Sequence, residues 1–426
     1  MKEKFSVAIL GAGNRGCAYG EIMQNEKNAG HYKINAVCDI NSEQLKKVKK
    51  IFDLPDEALF SDEESFFAVK RADLMVIATY DKYHVRQCIR ALEMGYDVLL
   101  EKPVSDSREE IKELLEVQKR TGRTVAVCHE LRYGPAYEKI YELIQKGTVG
   151  DIFAIDAMER VIYWHFAQAY VRIQSKFNDV AHPVILGKCS HDLDLLYHFA
   201  GAECESLSSV GGLTCFRPEN APECSKEKCV DCPEKEVCPY SAKKIYIDRW
   251  EEKGCPEFIW PFNKVSVKIP NTKDDLYEGI KNTHFGKCVF RCGVEKNPHV
   301  VDHQLIQMQF KNGITATLKM LMAGGSGRRI NVFGTRGEIL MDERSSTIEV
   351  MRYGEEKEVI GFNTIIERGH AHGGGDERIV EGLYHVLRKE CENRTSLRES
   401  AECHLMGIAA EESRLAGGTI VKVHKD

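Results

Sequence analysis

Lys102 is the residue whose position in the chain best suits acid–base chemistry. It stands in the tripeptide Glu101-Lys102-Pro103, directly after the predicted strand 96–100. Burial at the end of a strand lowers the pKa of a lysine toward a range useful for taking or relaying a proton. The following proline fixes the turn. A surface lysine in a loop is the alternative, but the position at a strand end favours a catalytic lysine that polarises a substrate hydroxyl.

Three glycines near the N-terminus form a candidate phosphate site. Residues 6–16 read S-V-A-I-L-G-A-G-N-R-G, with Gly11, Gly13 and Gly16 at the motif spacing. Gly11 would permit a sharp turn, Gly13 a close approach of a pyrophosphate, and Gly16 close packing of the next helix on its strand. The N-terminus of that helix would donate N–H groups to the phosphates. An ordinary strand–helix turn can carry the same glycines, so further evidence is needed.

Asp39 supplies that evidence. It follows a second predicted strand, residues 32–37, and its distance in sequence from the glycine turn is within a few residues of that expected for a dinucleotide-binding site. An acid at this place accepts the ribose hydroxyls of NAD and repels the 2′-phosphate of NADP. A solvated aspartate at a strand end is the alternative. Asn41 and either Lys46 or Lys47 lie near enough to weaken the repulsion. The turn and Asp39 together predict a dinucleotide site that prefers NAD to NADP.

A group of cysteines lies in the charged segment 222–240. Its members are Cys224, Cys229, Cys232 and Cys238. Buried apolar thiols do not collect among lysines and glutamates, so these cysteines are candidate metal ligands. A structural zinc is the preferred interpretation, and the C-x4-C-x2-C spacing also permits an iron–sulfur cluster. Cys288 and Cys292, in another polar stretch, could supply a ligand or lie on one face of a strand.

A polar and aromatic cluster lies within residues 159–172. Its members are Tyr163, His165, Tyr170 and Arg172. Aromatic faces and bidentate donors suit a sugar ring, or a carboxylated or sulfonated sugar if Arg172 faces it. A structural loop with stacked aromatic rings is the alternative.

A glycine-rich loop follows near the C-terminus, where residues 368–376 read R-G-H-A-H-G-G-G-D. Loops of this composition can close over a substrate and exclude water. We therefore expect a lid that brings His370 or His372 to the substrate, with a long hinge as the alternative.

The elements that must position these residues follow from apolar periodicity. The run 72–79 is almost continuously apolar, as in a strand buried on both faces of a parallel sheet, and helical patterns such as 83–95 alternate with the strands. This alternation predicts a doubly wound parallel sheet with its ligand crevice at the carboxyl ends of the strands. From about residue 150 onward, strand-like runs replace the alternation: 152–157, 305–310, 314–320 and 330–333. Two amphipathic helices, 376–392 and 397–415, are expected at the end.

Composition limits the classes of function. A length of 426 residues predicts two domains, and 43% hydrophobic with 29% charged residues predicts a soluble globular protein. A formal charge of −6 without a basic stripe argues against nucleic acid and anionic membranes as partners. No stretch approaches the roughly 18 apolar residues of a membrane span. The lack of an apolar leader and the cysteines within apolar elements predict a reducing cytoplasm, where disulfides are disfavoured.

Taken in order, these motifs resemble the Gfo/Idh/MocA oxidoreductases. The resemblance rests on G-A-G-N-R-G, Asp39, A-T-Y-D-K-Y-H and E-K-P, and continues through C-H-E-L-R-Y-G-P-A-Y, G-T-V-G-D-I and H-D-L-D-L-L. It covers nearly the whole chain, and E-K-P is its most specific part. It implies an α/β protein with an N-terminal Rossmann domain, residues 1–127, and a C-terminal substrate-binding α/β domain, residues 128–426. The second domain would carry a large, mostly antiparallel open sheet and a cysteine-rich insertion near 222–240, and we expect a homo-oligomer, a dimer or a tetramer.

The resemblance also implies which residues form the site. Besides the three glycines and Asp39, the expected cofactor contacts are Asn14, Arg15, Ile40, Ala78, Thr79, Tyr80, His84, Glu101 and Lys102. The expected catalytic groups are Lys102, His191, Lys188, Tyr163, His165 and Asp192. The expected substrate contacts are Arg132, Tyr133, Tyr170, Arg172, His370 and His372.

His191 is the first choice for a general acid or base beside Lys102, because histidine titrates near neutral pH. It is predicted to open a helix, with Asp192 and Asp194 in the first turn, where their charge suits the helix dipole. Many dehydrogenases of the family carry an aspartate four residues before this histidine. This chain has Gly187 there, followed by Lys188.

We therefore expect an NAD-dependent oxidoreductase acting on a hydroxyl of a sugar, a sugar derivative or a polyol. A second possibility is an NAD-dependent glycoside hydrolase that oxidises C3 transiently, eliminates the aglycone, adds water and reduces the sugar again. A third is a protein that only binds dinucleotide or sugar, which would not need the E-K-P lysine.

Overall fold

Six strands of the N-terminal half pair side by side in a parallel sheet. The computed structural model describes residues 2–174, 182–256, 260–266, 271–362 and 372–425. The strands are β1 (Phe5–Leu10), β2 (Tyr32–Cys38), β3 (Leu59–Phe60), β4 (Leu74–Ile77), β5 (Asp97–Leu100) and β6 (Val125–Val127). Their order is β3-β2-β1-β4-β5-β6, which is that of a doubly wound Rossmann sheet. All four residues of β4 are buried, which explains its continuously apolar sequence.

Helices connect these strands and cover both faces of the sheet. They are α1 (Asn14–Gln24), α2 (Ser42–Ile51), α3 (Glu63–Phe67), α4 (His84–Glu93) and α5 (Arg108–Thr121). The Asn41 side chain caps α2 by accepting hydrogen bonds from the N–H groups of Glu43 and Gln44. The predicted alternation of strand and helix is confirmed in this half.

A second sheet of nine strands occupies the C-terminal half. Its strands are β7 (Ile152–Ile162), β8 (Cys204–Gly212), β9 (His303–Phe310), β10 (Thr315–Ala323), β11 (Gly327–Gly334), β12 (Gly337–Asp342), β13 (Thr347–Arg352), β14 (Glu358–Gly361) and β15 (Val421–Lys422). Their order is β14-β13-β12-β11-β7-β10-β9-β8-β15, and neighbours are antiparallel except for β7 and β10. The expected mostly antiparallel sheet is therefore confirmed.

Helices cover one face of this second sheet. The helices of this half are α6 (Pro135–Gln145), α7 (Tyr163–Phe166), α8 (Val184–Ala200), α9 (Arg249–Glu252), α10 (Phe262–Val265), α11 (Lys273–Asn282), α12 (Gly375–Leu387) and α13 (Leu397–Leu415). Of these, α8 and α13 pack on each other, and the residues of β9 that point to one side, Gln304, Ile306, Met308 and Phe310, are buried. Within the described ranges, no helix combines the length and apolar character needed to cross a bilayer.

Helix α12 returns from the end of the chain to the first sheet. Four of its apolar residues belong to the same buried cluster as Phe5 and Tyr32: Ile379, Val380, Leu383 and Tyr384. The Tyr32 hydroxyl donates to the Val380 carbonyl oxygen at 2.8 Å. The helix is shorter than the predicted 376–392, and α13 has the predicted bounds.

Candidate active site

The glycine loop between β1 and α1 has the shape that a dinucleotide phosphate requires. Gly11 has φ +89°, and a Cβ there would lie 2.5 Å from the Ala78 carbonyl oxygen. A Cβ on Gly16 would overlap the Gly11 carbonyl oxygen, whereas one on Gly13 would meet no atom within 4 Å. No side chain of the described residues caps α1, so its N-terminal amides can face a phosphate.

Asp39 lies at the mouth of this loop. Its Oδ2 accepts the Ala12 N–H at 2.8 Å, and its Oδ1 accepts the Asn41 N–H at 2.8 Å. The two amides orient the carboxylate, which keeps free lone pairs for ribose hydroxyls. Ile40 and Tyr80 flank it with side chains that are 83% and 58% exposed, which leaves apolar surface for a flat ring.

A short helix from the C-terminal half reaches the same loop. Asn263 of α10 donates through Nδ2 to Asn14 Oδ1 at 2.7 Å. Partial desolvation lowers the pKa of the neighbouring Lys264, and the nearby Asp39 carboxylate opposes this effect. Sequence reasoning missed Asn263 and Lys264, because no local motif marks them.

Lys102 lies at the carboxyl end of β5, as expected. Its Nζ donates to the carbonyl oxygen of Gly187, in the first turn of α8, at 2.8 Å. Burial lowers the pKa of Lys102, although the carboxylates of Glu101 and Glu130 act in the opposite direction. A lysine with a lowered pKa can exist as the neutral amine that accepts a proton.

Arg15 differs from its expected role as a cofactor contact. Its guanidinium forms ion pairs with three carboxylates, those of Glu101 at 2.5 Å, of Asp376 at 2.7 Å and of Glu130. Burial alone would raise the pKa of Glu101, but the positive charge of Arg15 lowers it. Glu101 is therefore an ionised partner of Arg15. The cluster joins the end of β5, the segment after β6 and the start of α12.

His84 likewise contacts the protein backbone. Its Nδ1 lies 2.8 Å from the Pro103 carbonyl oxygen and its Nε2 lies 3.3 Å from the Thr79 carbonyl oxygen. Because the ring is buried and both nitrogens face carbonyl groups, His84 fixes the loops after β4 and β5 and does not present a free ring to a cofactor.

His191 lies in the middle of α8, and the prediction that it opens a helix is wrong. The helix begins at Val184, directly after Pro183, and continues through Gly187. Asp192 and Asp194 are therefore not in the first turn, and the helix-dipole explanation for them fails. His191 Nε2 lies 3.8 Å from Glu130 Oε2. Glu130, which the sequence analysis did not select, thus connects His191 with Arg15.

Lys188 and Asp192 belong to a network of buried charges. Lys188 Nζ lies 3.0 Å from Glu159 Oε1, and Arg328 Nε lies 3.1 Å from Glu159 Oε2 and 2.8 Å from Asp192 Oδ1. Burial raises the pKa of Asp192, Arg328 opposes this, and the Glu159 carboxylate adds to the increase. Glu159 and Arg328 were missed, because they are far from Lys188 in the sequence.

Aromatic rings border this network. The rings of His165 and Tyr170 stack with centroids 5.9 Å apart, and the Trp260 ring meets His165 edge-on at 4.7 Å. Burial lowers the pKa of His165 to about 3, and the positive charges of Lys188 and Lys102 contribute, so the ring is neutral at pH 7. A neutral imidazole can donate or accept a hydrogen bond with a substrate hydroxyl. Tyr163 instead packs against Tyr240, with centroids 6.0 Å apart.

Three expected substrate contacts have structural partners instead. Arg132 is buried and donates to Asp194 through Nε at 2.7 Å and through Nη2 at 2.8 Å. Arg172 is fully buried, and its Nη2 donates to the Tyr240 carbonyl oxygen at 2.6 Å. Tyr133 is buried in the core of the first sheet. These positions correct the expectation that the three side chains reach a substrate.

Two further expectations concern the glycine-rich loop and the cysteines. His370 lies outside the described residues, as does the side chain of His372. Cys224 is exposed, with its Sγ 3.4 Å from Glu234 Oε1. Cys229, Cys232 and Cys238 line one cavity together with Cys288, which the sequence offered as a further possible ligand.

The parallel sheet, the glycine loop and the half-buried lysine at the end of β5 define a dinucleotide-dependent oxidoreductase. Residues 5–129 match the Gfo/Idh/MocA model described as an oxidoreductase family with an NAD-binding Rossmann fold, and residues 270–423 match its C-terminal alpha/beta domain. The chain belongs to the Gfo/Idh/MocA family and is an NAD(P)-dependent oxidoreductase.

Individual relatives are distant. The putative oxidoreductase YteT of Bacillus subtilis (strain 168) is 24% identical over 411 residues, which is 91% of this chain and 90% of that protein. The D-glucoside 3-dehydrogenase of Escherichia coli (strain K12) is 22% identical over 35% of this chain and 42% of its own length. An oxidoreductase from Agrobacterium radiobacter, solved with NAD+, L-tartaric acid and magnesium, has the same fold, with a TM-score of 0.69 and 16% identity over 99% of this chain and 98% of its own.

Proposed function

We propose that this protein oxidises a hydroxyl group of a sugar, a sugar derivative or a polyol, with Lys102 as the general base. The observation that carries the proposal is the half-buried Lys102 amine, held by the Gly187 carbonyl oxygen beside the crevice of the glycine loop. The name of the glucoside dehydrogenase relative supports a carbohydrate substrate.

Bound NAD would accept the hydride from the carbon that carries the hydroxyl. Lys102, in its neutral form, takes the hydroxyl proton as the carbonyl group forms. The Glu130 and His191 pair then offers a path by which the proton leaves Lys102. The positive charge of Arg15 lowers the pKa of Glu101, so this carboxylate stays ionised and is a weak proton acceptor.

The substrate pocket would use the charged network and the aromatic rings. Lys188 offers a cation, and the rings of His165 and Tyr170 offer flat faces and hydrogen-bonding atoms for a polyhydroxylated ring. Lys188 also permits a substrate with an acidic group.

A product assay tests the proposal. Purified protein with NAD should convert at least one member of a panel of inositols, methyl glycosides and sugar acids, producing one NADH per oxidised product. Aryl glycosides should be included, because release of aglycone without NADH accumulation would establish the redox-neutral hydrolytic reaction and contradict the proposed dehydrogenase. Exchange of the C2 hydrogen with deuterated solvent would identify that route independently.

We propose NAD as the preferred cofactor, on the basis of Asp39. Replacing Asp39 with alanine removes the ribose acceptor and leaves Lys264 nearby, so the Kd for NAD should rise by roughly tenfold or more. The Kd for NADP should rise less or fall. Isothermal titration with each cofactor measures both changes, and Glu43→Ala, a surface acid of α2, is the matched control. Unchanged affinities in Asp39→Ala would contradict the assignment.

We also propose a homo-oligomer in a reducing cytoplasm. Exposed apolar residues of the second sheet, including Phe153 and Val210 at 51% exposure each, offer apolar surface for a second copy. The cysteines of the described structure are free thiols, as a reducing compartment favours. Light scattering should give the mass of a dimer or tetramer, and a monomer at micromolar concentration would contradict this part of the proposal.

A further inference from the structure

Four cysteine side chains from two separate segments line one small cavity in the C-terminal half. They are Cys229, Cys232, Cys238 and Cys288. We call this space, which measures about 20 Å³, the four-cysteine cavity. Each of the four is a free thiol, and all but Cys238 are buried. Four thiols that converge on one space form a complete donor set for a thiolate-bound metal centre.

The segment that forms most of the four-cysteine cavity has little regular secondary structure. Between β8 and the helical turn Lys244–Asp248, the chain forms only single turns such as Cys229–Asp231 and Pro233–Glu236. A segment of this length without helices or strands is uncommon in a compact domain, and metal ligation is one way to order it. Cys288 reaches the cavity because its N–H donates to the Glu227 carbonyl oxygen at 2.8 Å.

Arg172 brings a buried positive charge to the four-cysteine cavity. Its Nη2 lies 3.5 Å from Cys229 Sγ, and its Nε donates to the Lys287 carbonyl oxygen at 3.0 Å. Metals bind the thiolate form of cysteine, and the guanidinium places a positive charge beside Cys229 Sγ. It also offsets part of the negative charge that four thiolates would bring.

The spacing of the sulfur atoms distinguishes between kinds of metal centre. A tetrahedral zinc with Zn–S distances near 2.3 Å places its sulfur ligands about 3.8 Å apart. Elsewhere in the described structure, groups of three ligand atoms lie mutually within 4.8 Å, for example those of His129, Cys403 and His404, but no three of the cavity cysteines do. Thiolates that bind different irons of one cluster stand farther apart than the ligands of a single ion. We propose that the four-cysteine cavity binds a [4Fe–4S] cluster through Cys229, Cys232, Cys238 and Cys288.

The cluster would position the substrate side of the active site. Arg172 ends the helical turn Ala167–Arg172, which contains Tyr170, and α7 just before it carries His165. A cluster that fixes Arg172 therefore also fixes both rings. This positioning role rests on the proposed function, whereas metal binding does not, and it involves no electron transfer.

Metal analysis of the full chain tests the site. Protein purified without oxygen or chelator, from cells supplied with iron, should contain about four iron and four sulfide per chain and show broad visible absorption. Cys288→Ser should lose the colour and most of the iron. Cys224→Ser, an exposed cysteine outside the cavity, should retain both and serves as the matched control. One zinc per chain, or a folded wild-type protein without metal, would overturn the cluster. Iron lost from Cys224→Ser but kept in Cys288→Ser would overturn the ligand set.

Binding measurements separate this proposal from the proposed function. If Cys288→Ser remains folded, its Kd for NAD should stay within about twofold of wild type, because the glycine loop is untouched, while KM for the substrate rises. Should Cys288→Ser fail to fold, the iron and sulfide content of wild type and Cys224→Ser still shows whether the protein binds the cluster. An iron-loaded protein that oxidises no carbohydrate would support the cluster and contradict only the activity.

Discussion

Replacing Lys102 with methionine should lower kcat by about 10²- to 10⁴-fold, the usual contribution of a positioned general base. Methionine keeps much of the volume of the lysine stem but cannot accept a proton. Lys102→Arg should lose nearly as much activity, because a guanidinium keeps the charge and does not deprotonate in proteins. Steady-state NADH production with the best substrate of the panel measures both effects.

The pH profile gives a second test of Lys102. Because burial lowers its pKa, kcat/KM should rise with pH through a limb that lies below the ordinary lysine pKa of about 10.4. The limb should be absent from the residual activity of Lys102→Met. The control is Lys119→Met, an exposed lysine of α5, which should behave like wild type. Full activity in Lys102→Arg would show that position 102 supplies only charge and would remove it as the base.

Replacing Arg132 with leucine should lower the free energy of unfolding by about 3–5 kcal/mol, because Asp194 would be left buried without its partner. The two side chains are 2% and 1% exposed and form a bidentate pair. Urea denaturation, followed by circular dichroism, measures the loss. The double variant Arg132→Leu with Asp194→Leu should recover part of it, since no charge then remains buried.

A surface pair is the matched control for Arg132. Arg120 lies 2.7 Å from Glu93, with both side chains about half exposed, so Arg120→Leu should change stability by no more than about 1 kcal/mol. If Arg132→Leu were as stable as wild type but had a strongly raised KM, the structural role would be wrong and the original substrate-contact prediction would be restored.

The sequence was most informative where the required residues are close together. The glycine turn, Asp39 and the lysine after β5 each depend on a strand end and its next few residues, so periodicity and motif spacing placed them correctly. The helix around His191 was misjudged because the stretch 184–190 contains Gly187 and few strong helix formers, and tertiary packing overrides that local preference.

The remaining errors involve partners that are distant in the chain. No local pattern near Arg132 or Arg172 indicates Asp194 or Cys229 as a partner. The resemblance therefore suggested a substrate role for Arg132, and the polar and aromatic cluster around it suggested one for Arg172. Cys288, and not Cys224, lines the cavity. Its segment lies beside the other cysteines through a β-bridge between Lys228 and Lys287, a contact between residues that are distant in the chain. Asn263 and Lys264 of α10 reach the glycine loop across about 250 residues.

The return of α12 to the first sheet also constrains the order of folding during synthesis. Phe5 and Tyr32 leave the ribosome long before the side chains that complete their core are made, Val380 and Leu383 among them. Until then the nascent N-terminal sheet exposes an apolar face, which is a surface prone to aggregation. We therefore expect a chain truncated before α12 to depend on chaperones and to accumulate in inclusion bodies, even though it contains every strand of the dinucleotide-binding sheet.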